Sequence, residues 1–227
     1  MRKAAKADIT ATTESGKYVD GEALNKAFGL PGVRVDTAPD ASFVLHGDDI
    51  AITTAAHFSP EEFEILEHGK WVTLPKVVHR WATWVIFRHV PTDVIFIFVI
   101  THLQHLPLGA NTVKKYDQER HDALALVFQY TKQLQQDALL RYPNCEVIHA
   151  IVTGDMNSKH SDPFDSSVGV SLAAKEAGFK DAGSDYIDRS FYSPGVEVAD
   201  AKMIPTNGAT DHVKAFAATF KMYNNKA

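Results

Sequence analysis

The sequence predicts an α/β domain of the layered α+β type, built on a mixed β-sheet. Between residues 71 and 101, the segments "WVTL", "WATWVIF" and "DVIFIFVIT" are rich in β-branched and aromatic residues and are separated by turn signals. A long helix is predicted at residues 115–142, and the apolar strand "EVIHAIVT" follows it. Because some strands are neighbours and others alternate with helices, we expect both antiparallel and parallel pairing.

The length fits one large globular domain better than two small ones, and we assign residues 1–227 to a single domain. Hydrophobic residues make up 45% and charged residues 22% of the chain, which suffices for a sizeable core. The net charge of −5 argues against a strongly basic nucleic-acid clamp. The one cysteine excludes an internal disulfide, no signal-peptide pattern is seen, and the longest apolar run is too short to span a bilayer. These features predict a cytoplasmic or intracellular protein.

Local signals predict the remaining elements. A short strand is expected before residue 13, a helix at residues 20–28 and a strand at residues 49–54. "SPEE" at residues 59–62 predicts a helix start, because Ser caps, Pro fits the first helical position and Glu follows. A helix near residues 167–177 ends at Gly178, and strands follow near 187–192 and 213–220. One face of the long helix carries residues at spacings of three and four, namely Leu124, Val127, Phe128, Thr131, Leu134 and Ala138.

Polar or titratable residues stand at the ends of four predicted strands. "DVIFIFVIT" runs into His102, and "EVIHAIVT" runs into Gly-Asp-Met-Asn, which presents Asp155 and Asn157. Two further segments, "SDYIDRSFYS" and "GATDHVKAF", carry Asp185 with Asp188 and Asp211 with His212. Each segment alone is typical of a turn, a cap or a surface charge. Their ordered combination indicates a site at strand ends, where loops supply the groups and the sheet fixes them.

The ordered segments resemble the endonuclease/exonuclease/phosphatase superfamily, the DNase I-like metal-dependent phosphoesterases. The matching motifs are Thr-His-Leu at residues 101–103, Gly-Asp-x-Asn at 154–157, Ile-Asp-Arg at 187–189 and Thr-Asp-His at 210–212. Arg120 stands where many members carry an Arg, although Ala123 replaces their usual Gln. "ADITATTES" resembles the family strand whose Glu binds metal, with Glu14 as that residue and Thr13 in place of Gln.

This resemblance implies a DNase I-like four-layer β-sandwich flanked by helices. Family members begin with a strand that carries a metal- or phosphate-contacting Asn, and only thirteen residues precede Glu14. The chain is therefore expected to be N-terminally incomplete in this fold. A truncated chain, a strand from another chain and tolerance of the loss are the three alternatives.

The resemblance also implies a role for each site residue. His212 would be the general base and Asp188 would orient it, while Asp155 and Asn157 would orient the water and bind a phosphate oxygen. His102 would donate to a phosphoryl oxygen or the leaving group, and Arg120 would contact the substrate phosphate. Mg²⁺, or Mn²⁺, would be held by Glu14 and Asp211, because hard cations prefer oxygen ligands.

The sequence leaves three functions open. The first is a divalent-metal phosphoesterase that acts like a nuclease on nucleic acid or another phosphodiester. The second is a phosphatase on inositol phosphates or phospholipid head groups, which the mild negative charge favours. The third is a catalytically impaired or purely binding domain, which the missing first strand suggests.

Overall fold

The computed structural model describes residues 8–13, 34–36, 54–58, 61–72, 81–105, 113–183, 186–205 and 214–223. The strands in these ranges are β1 (Ile9–Thr13), β2 (Arg34–Asp36), β3 (Thr54–Phe58), β4 (Phe63–Val72), β5 (Trp81–His89), β6 (Val94–His102), β7 (His149–Asp155), β8 (Lys180–Asp181), β9 (Asp188–Tyr192), β10 (Glu197–Pro205) and β11 (Lys214–Lys221). The helices are α1 (Val113–Arg141), α2 (Asp165–Val168) and α3 (Val170–Ala177).

A six-stranded mixed sheet forms the centre of the fold. Its order is β4-β5-β6-β7-β9-β8. Strands β6 and β7 are parallel, with α1 as their crossover, and the other neighbours are antiparallel. The predicted mixed sheet is therefore confirmed.

The two faces of the six-stranded sheet have separate hydrophobic cores. In β6, Ile97 and Val99 pack into the core shared with α1 and α3. The alternate residues Phe96 and Phe98 pack into a second core that contains residues of β1 and β3. Because successive side chains of a strand point to opposite faces, a strand covered on both sides is apolar throughout. All nine residues of β6 are buried, in agreement with this reasoning.

Helix α1 covers the first face as its sequence pattern predicts. The residues predicted to share one face are all buried, and they are Leu124, Val127, Phe128, Thr131, Leu134 and Ala138. The second predicted helix is interrupted at Gly169 into α2 and α3, and it ends at Gly178 in the left-handed conformation, with φ of 73°. Within the described residues, no helix has the length and apolar character needed to cross a bilayer.

Further strands cover the second face. Sheet β1-β3-β2 packs there, with Ala56 and Phe58 buried against the core. The two-stranded ribbon β10-β11 contacts the six-stranded sheet through Phe220, whose ring centroid lies 5.9 Å from that of Tyr192 in β9. The described residues thus form a helical layer and two β-layers of the expected sandwich. The helix predicted at residues 20–28 and most of the strand predicted at 49–54 lie outside them.

The helix predicted to start at "SPEE" is wrong. Glu61 and Glu62 form a turn, and the chain continues as β4. Strand β4 pairs with β5 from Phe63 to Val72, with one bulge after Ile65. A capping signal contributes about 1 kcal/mol, which long-range pairing along a ten-residue strand outweighs.

Candidate active site

Three predicted site residues form one row across the sheet. His102 ends β6, Asp155 ends β7 and Asp188 begins β9. His102 is in register with Asp155, which is in register with Asp188. Residues directly opposite each other on neighbouring strands project to the same face. The register therefore brings an imidazole and two carboxylates to one edge of the sheet.

The row lies on the face of the six-stranded sheet that is covered by the β1-β3-β2 sheet. His102 lies four residues after Phe98 in β6, and Asp155 lies four residues after Ile151 in β7, so each site residue projects to the same face as that apolar residue. Phe98 and Ile151 belong to the core between the β-layers. Both site residues are buried, and His102 Nε2 lies 3.5 Å from Asp155 Oδ2. At this separation the carboxylate faces the Nε2 side of the imidazole and can orient the ring.

Gly154 permits the close approach of β7 to β6. Its φ is +142°, and a Cβ built there would lie 1.8 Å from the carbonyl oxygen of Thr101. No side chain fits at that distance. The glycine of the Gly-Asp-x-Asn motif is therefore required by the backbone that aligns Asp155 with His102.

Asn157 joins the loops after β6 and β7. Its φ is +49°, a left-handed conformation that Asn tolerates better than most residues. Its backbone N–H donates to Asp155 Oδ1 at 2.7 Å, and its Nδ2 donates to the Leu103 carbonyl oxygen at 2.9 Å. One carboxylate oxygen of Asp155 is thus fixed by the turn, and the other faces His102.

Arg120 is buried beside the loop that follows His102. Its Nε donates to the Gln104 carbonyl oxygen at 2.8 Å, and its Nη1 donates to Asp117 Oδ1 at 2.7 Å. Burial raises the pKa of the Asp117 carboxyl, although the Arg120 charge lowers it in part. These contacts hold the loop, and the predicted contact of Arg120 with a substrate phosphate stays a prediction.

The remaining predicted site residues lie outside the described residues; they are Glu14, Asp211 and His212. Within the part of the chain that the structure describes, no group of three or more His, Cys, Asp or Glu side chains could hold a metal ion. The described site does offer carboxylate and amide oxygens, in Asp155, Asp188 and Asn157. This donor chemistry suits a hard divalent cation.

A buried ion-pair network supports the site and was not predicted. Arg189, the neighbour of Asp188, donates from Nη1 to Asp165 Oδ1 at 3.0 Å and from Nε to Asp181 Oδ2 at 3.0 Å. Its Nη2 also donates to Ser171 Oγ at 2.7 Å. The Arg189 side chain is fully buried. Successive side chains of β9 point to opposite faces of the sheet. Arg189 therefore anchors the face that packs against the helices, and Asp188 lies on the other face.

Replacing Arg189 with methionine should lower the free energy of unfolding by about 3–5 kcal/mol, because it leaves buried Asp165 without its cation. Urea unfolding of both proteins measures the difference. Arg141→Met is the matched control, since Arg141 pairs with Glu67 while 41% of its side chain is exposed. The control should cost less than about 1 kcal/mol. Equal losses in the two variants would contradict the structural role of the network.

Comparison with solved structures identifies the fold. The chain is similar to a mannosyl-6-phosphatase of Bacteroides thetaiotaomicron, with 18% identity, 96% of this chain and 82% of that chain covered, and a TM-score of 0.59. It is similar to an endonuclease/exonuclease/phosphatase of Bacteroides vulgatus, with 18% identity, coverage of 98% and 87%, and a TM-score of 0.64. It is also similar to a humanized D. rerio TDP2, with 15% identity, coverage of 97% and 87%, and a TM-score of 0.65.

The chain therefore has the DNase I-like fold of the endonuclease/exonuclease/phosphatase proteins. The resemblance that the sequence motifs suggested is confirmed at the level of the fold. No protein-family model matches the sequence, and no curated protein sequence matches it significantly. The ordered motifs at strand ends were thus the sequence signal that identified this fold.

Proposed function

We propose that the chain is a divalent-metal-dependent phosphoesterase that hydrolyses phosphodiesters in a nuclease-like reaction. The observation that carries the proposal is the row of His102, Asp155 and Asp188, with Asn157 beside it, at one edge of the sheet. The neighbours in fold include a protein named as a mannosyl-6-phosphatase and one named as an endonuclease/exonuclease/phosphatase. Phosphate-ester hydrolysis is the chemistry that these names share.

The described residues have distinct tasks in this reaction. Asp155 would accept a hydrogen bond from the attacking water, and Asn157 would bind a phosphoryl oxygen. His102, oriented by Asp155, would donate to a phosphoryl oxygen or to the leaving oxygen as the phosphorus–oxygen bond breaks. The three groups are fixed before substrate binds, and such preorganisation lowers the cost of reaching the transition state.

His212 is the proposed general base, with Asp188 as the residue that orients it. The direction of β11 supports this assignment. The Phe220 ring near its end lies against Tyr192, and His149 Nε2 donates to the Tyr223 carbonyl oxygen at 3.1 Å. Tyr192 and His149 lie at the ends of β9 and β7 that are remote from the row. The eight residues of β11 span roughly 25 Å. Because the last residues of β11 lie at the far end of the sheet, this length supports a position for its first residue, Lys214, near the edge that carries the row.

Glu14 and Asp211 are the proposed ligands of Mg²⁺ or Mn²⁺. A bound Mg²⁺ would stabilise the charge that develops on the phosphoryl oxygens. The direction of β1 supports Glu14. The first residue of β1 is paired with Phe58, whose ring centroid lies 4.9 Å from that of Phe87, and Phe87 is paired with the third residue of β6. Strand β1 therefore starts at the end of the sheet opposite His102 and ends just before Glu14.

Hydrolysis of a phosphodiester in the presence and absence of Mg²⁺ tests the proposal. We expect nicking of supercoiled plasmid that stops with EDTA and returns with excess Mg²⁺. His212→Ala should lower kcat by about 10²-fold, because loss of a general base removes about 10²–10⁴-fold in rate. Activity that persists unchanged in His212→Ala rejects His212 as the base. A wild-type protein that acts on no phosphoester with Mg²⁺ would favour a binding domain.

The second candidate is a phosphatase on inositol phosphates or phospholipid head groups. The net charge of −5 and the fold similarity to a mannosyl-6-phosphatase favour it over tight binding of duplex DNA. Release of inorganic phosphate from inositol phosphates, measured beside plasmid nicking at equal enzyme concentration, separates the two. The larger kcat/KM identifies the substrate class.

A further inference from the structure

A lysine lies over an aromatic ring at the rim of the candidate site. Lys159 Nζ is 5.7 Å from the centroid of the Tyr186 ring. Lys159 is exposed and Tyr186 is half-buried. Within the described ranges, no carboxylate lies within ion-pair distance of this ammonium group, whereas Arg189, Arg141 and Arg120 all have one. Among the described residues, the Tyr186 ring is the group that the structure places against the Lys159 ammonium group.

The backbone places Lys159 and Tyr186 next to the row. Lys159 follows Asn157 by two residues, a span of at most about 7 Å, and Tyr186 precedes Asp188 by two residues. The two segments are joined by a hydrogen bond from the Met156 N–H to the Ile187 carbonyl oxygen, at 2.8 Å. The lysine and the ring thus border the same edge of the sheet as the row.

The backbone around Lys159 is anchored by two side-chain hydrogen bonds. Its N–H donates to Asp162 Oδ2 at 2.8 Å. The preceding Ser158 is buried and donates to Asp165 Oδ1 at 3.2 Å, and Asp165 is held by Arg189. A cation–π contact at an exposed site contributes only about 0.5–1 kcal/mol. The ammonium group can therefore leave the ring for a better anionic partner without moving the backbone.

We propose that Lys159 binds a second phosphate group of the substrate, with Tyr186 holding the ammonium group ready in its absence. The inference rests on the proposed phosphoesterase function, which accounts for one phosphate at the row. A second phosphate can come from a nucleotide backbone or from a polyphosphorylated ring, and both present the same oxygens to the lysine. Lys159 would thus select substrates that carry more than one phosphate.

Paired substrates that differ by one phosphate test this selection. The first pair is the 5′-nitrophenyl ester of thymidine 3′,5′-bisphosphate and the same ester of thymidine 5′-phosphate. The second pair is inositol 1,4-bisphosphate and inositol 1-phosphate. In Lys159→Met, KM for the bisphosphate should rise about 10-fold while kcat changes little, because the contact is equally strong in the ground and transition states. Kinetics on the single-phosphate substrates should not change.

Two further variants separate the lysine from general charge effects. Lys132→Met removes an exposed lysine from α1 and should leave all four substrates unaffected. Tyr186→Leu removes the ring beneath the ammonium group and should raise KM for the bisphosphate about 2- to 5-fold. The pair of substrates that shows the effect identifies the source of the second phosphate. Equal KM changes for bisphosphate and single-phosphate substrates in Lys159→Met overturn the inference.

Calorimetric titration distinguishes this inference from the proposed function. Thymidine 3′,5′-bisphosphate and inositol 1,4-bisphosphate are titrated into the wild type and Lys159→Met in the presence of Mg²⁺. If hydrolysis is absent but Lys159→Met binds either bisphosphate about 10-fold more weakly, the proposed function fails and the phosphate site stands. If both proteins bind both bisphosphates equally well, or neither binds them, Lys159 is not a phosphate ligand.

Discussion

Replacing Gly154 with alanine is expected to lower the free energy of unfolding by about 5 kcal/mol or more, a loss beyond that of most single substitutions. The new Cβ would lie 1.8 Å from the Thr101 carbonyl oxygen, and φ at this position is +142°. The neighbour is backbone and not the flexible end of a side chain, so β6 and β7 must separate. That separation breaks hydrogen bonds in the centre of the six-stranded sheet, where an unpaired buried group costs about 1–3 kcal/mol.

Urea unfolding followed by circular dichroism measures the loss in Gly154→Ala. Gly178→Ala is the matched control, because Gly178 also has a positive φ, of 73°, but nothing lies within 4 Å of its Cβ position. The control should cost about 1 kcal/mol, which is the backbone strain alone. A loss in Gly154→Ala no greater than in Gly178→Ala would show that β6 and β7 do not approach as closely as the structure indicates.

The sequence predicted those helices and strands in which many residues follow the same pattern. Helix α1 was predicted because six apolar or small residues repeat at helical spacing, and all six are buried. Strand β6 was predicted because its β-branched and aromatic residues form a continuous run that is typical of a buried strand. The edge elements were harder to predict. Strand β10 mixes Glu, Asp and Lys with apolar residues, and five of its nine residues are exposed while none is buried.

The candidate site was predicted in part for a similar reason. The residues of the row stand in motifs with a fixed order, so His102, Asp155 and Asp188 could be assembled before the register was known. The network around Arg189 could not, because its partners are 8, 18 and 24 residues away and follow no pattern. The same limit applies to Lys159 and Tyr186, which are 27 residues apart in the sequence. Only the pairing of strands brings such groups together.

Replacing Asp155 with asparagine is expected to lower kcat/KM for phosphodiester hydrolysis by about 10³-fold, within the range of a lost acid–base group. The amide has nearly the same shape, and its oxygen can still accept the Asn157 N–H that now bonds to Oδ1 at 2.7 Å. The change removes the negative charge that lies 3.5 Å from His102 Nε2. The His102 ring loses its charged partner, and the attacking water loses a charged acceptor. Steady-state kinetics with a nitrophenyl phosphodiester and Mg²⁺ measure the effect.

Asp137→Asn provides the control for charge, since Asp137 accepts a hydrogen bond from Gln133 on α1, away from the row. That variant should retain wild-type kinetics. Urea unfolding of both variants shows whether each protein is folded under the assay conditions, which separates loss of chemistry from loss of fold. A fall of kcat/KM in an Asp155→Asn protein that is folded under these conditions assigns Asp155 to the reaction. Full activity in Asp155→Asn would move the chemistry away from the row, because Asp155 is the carboxylate that lies 3.5 Å from His102 Nε2.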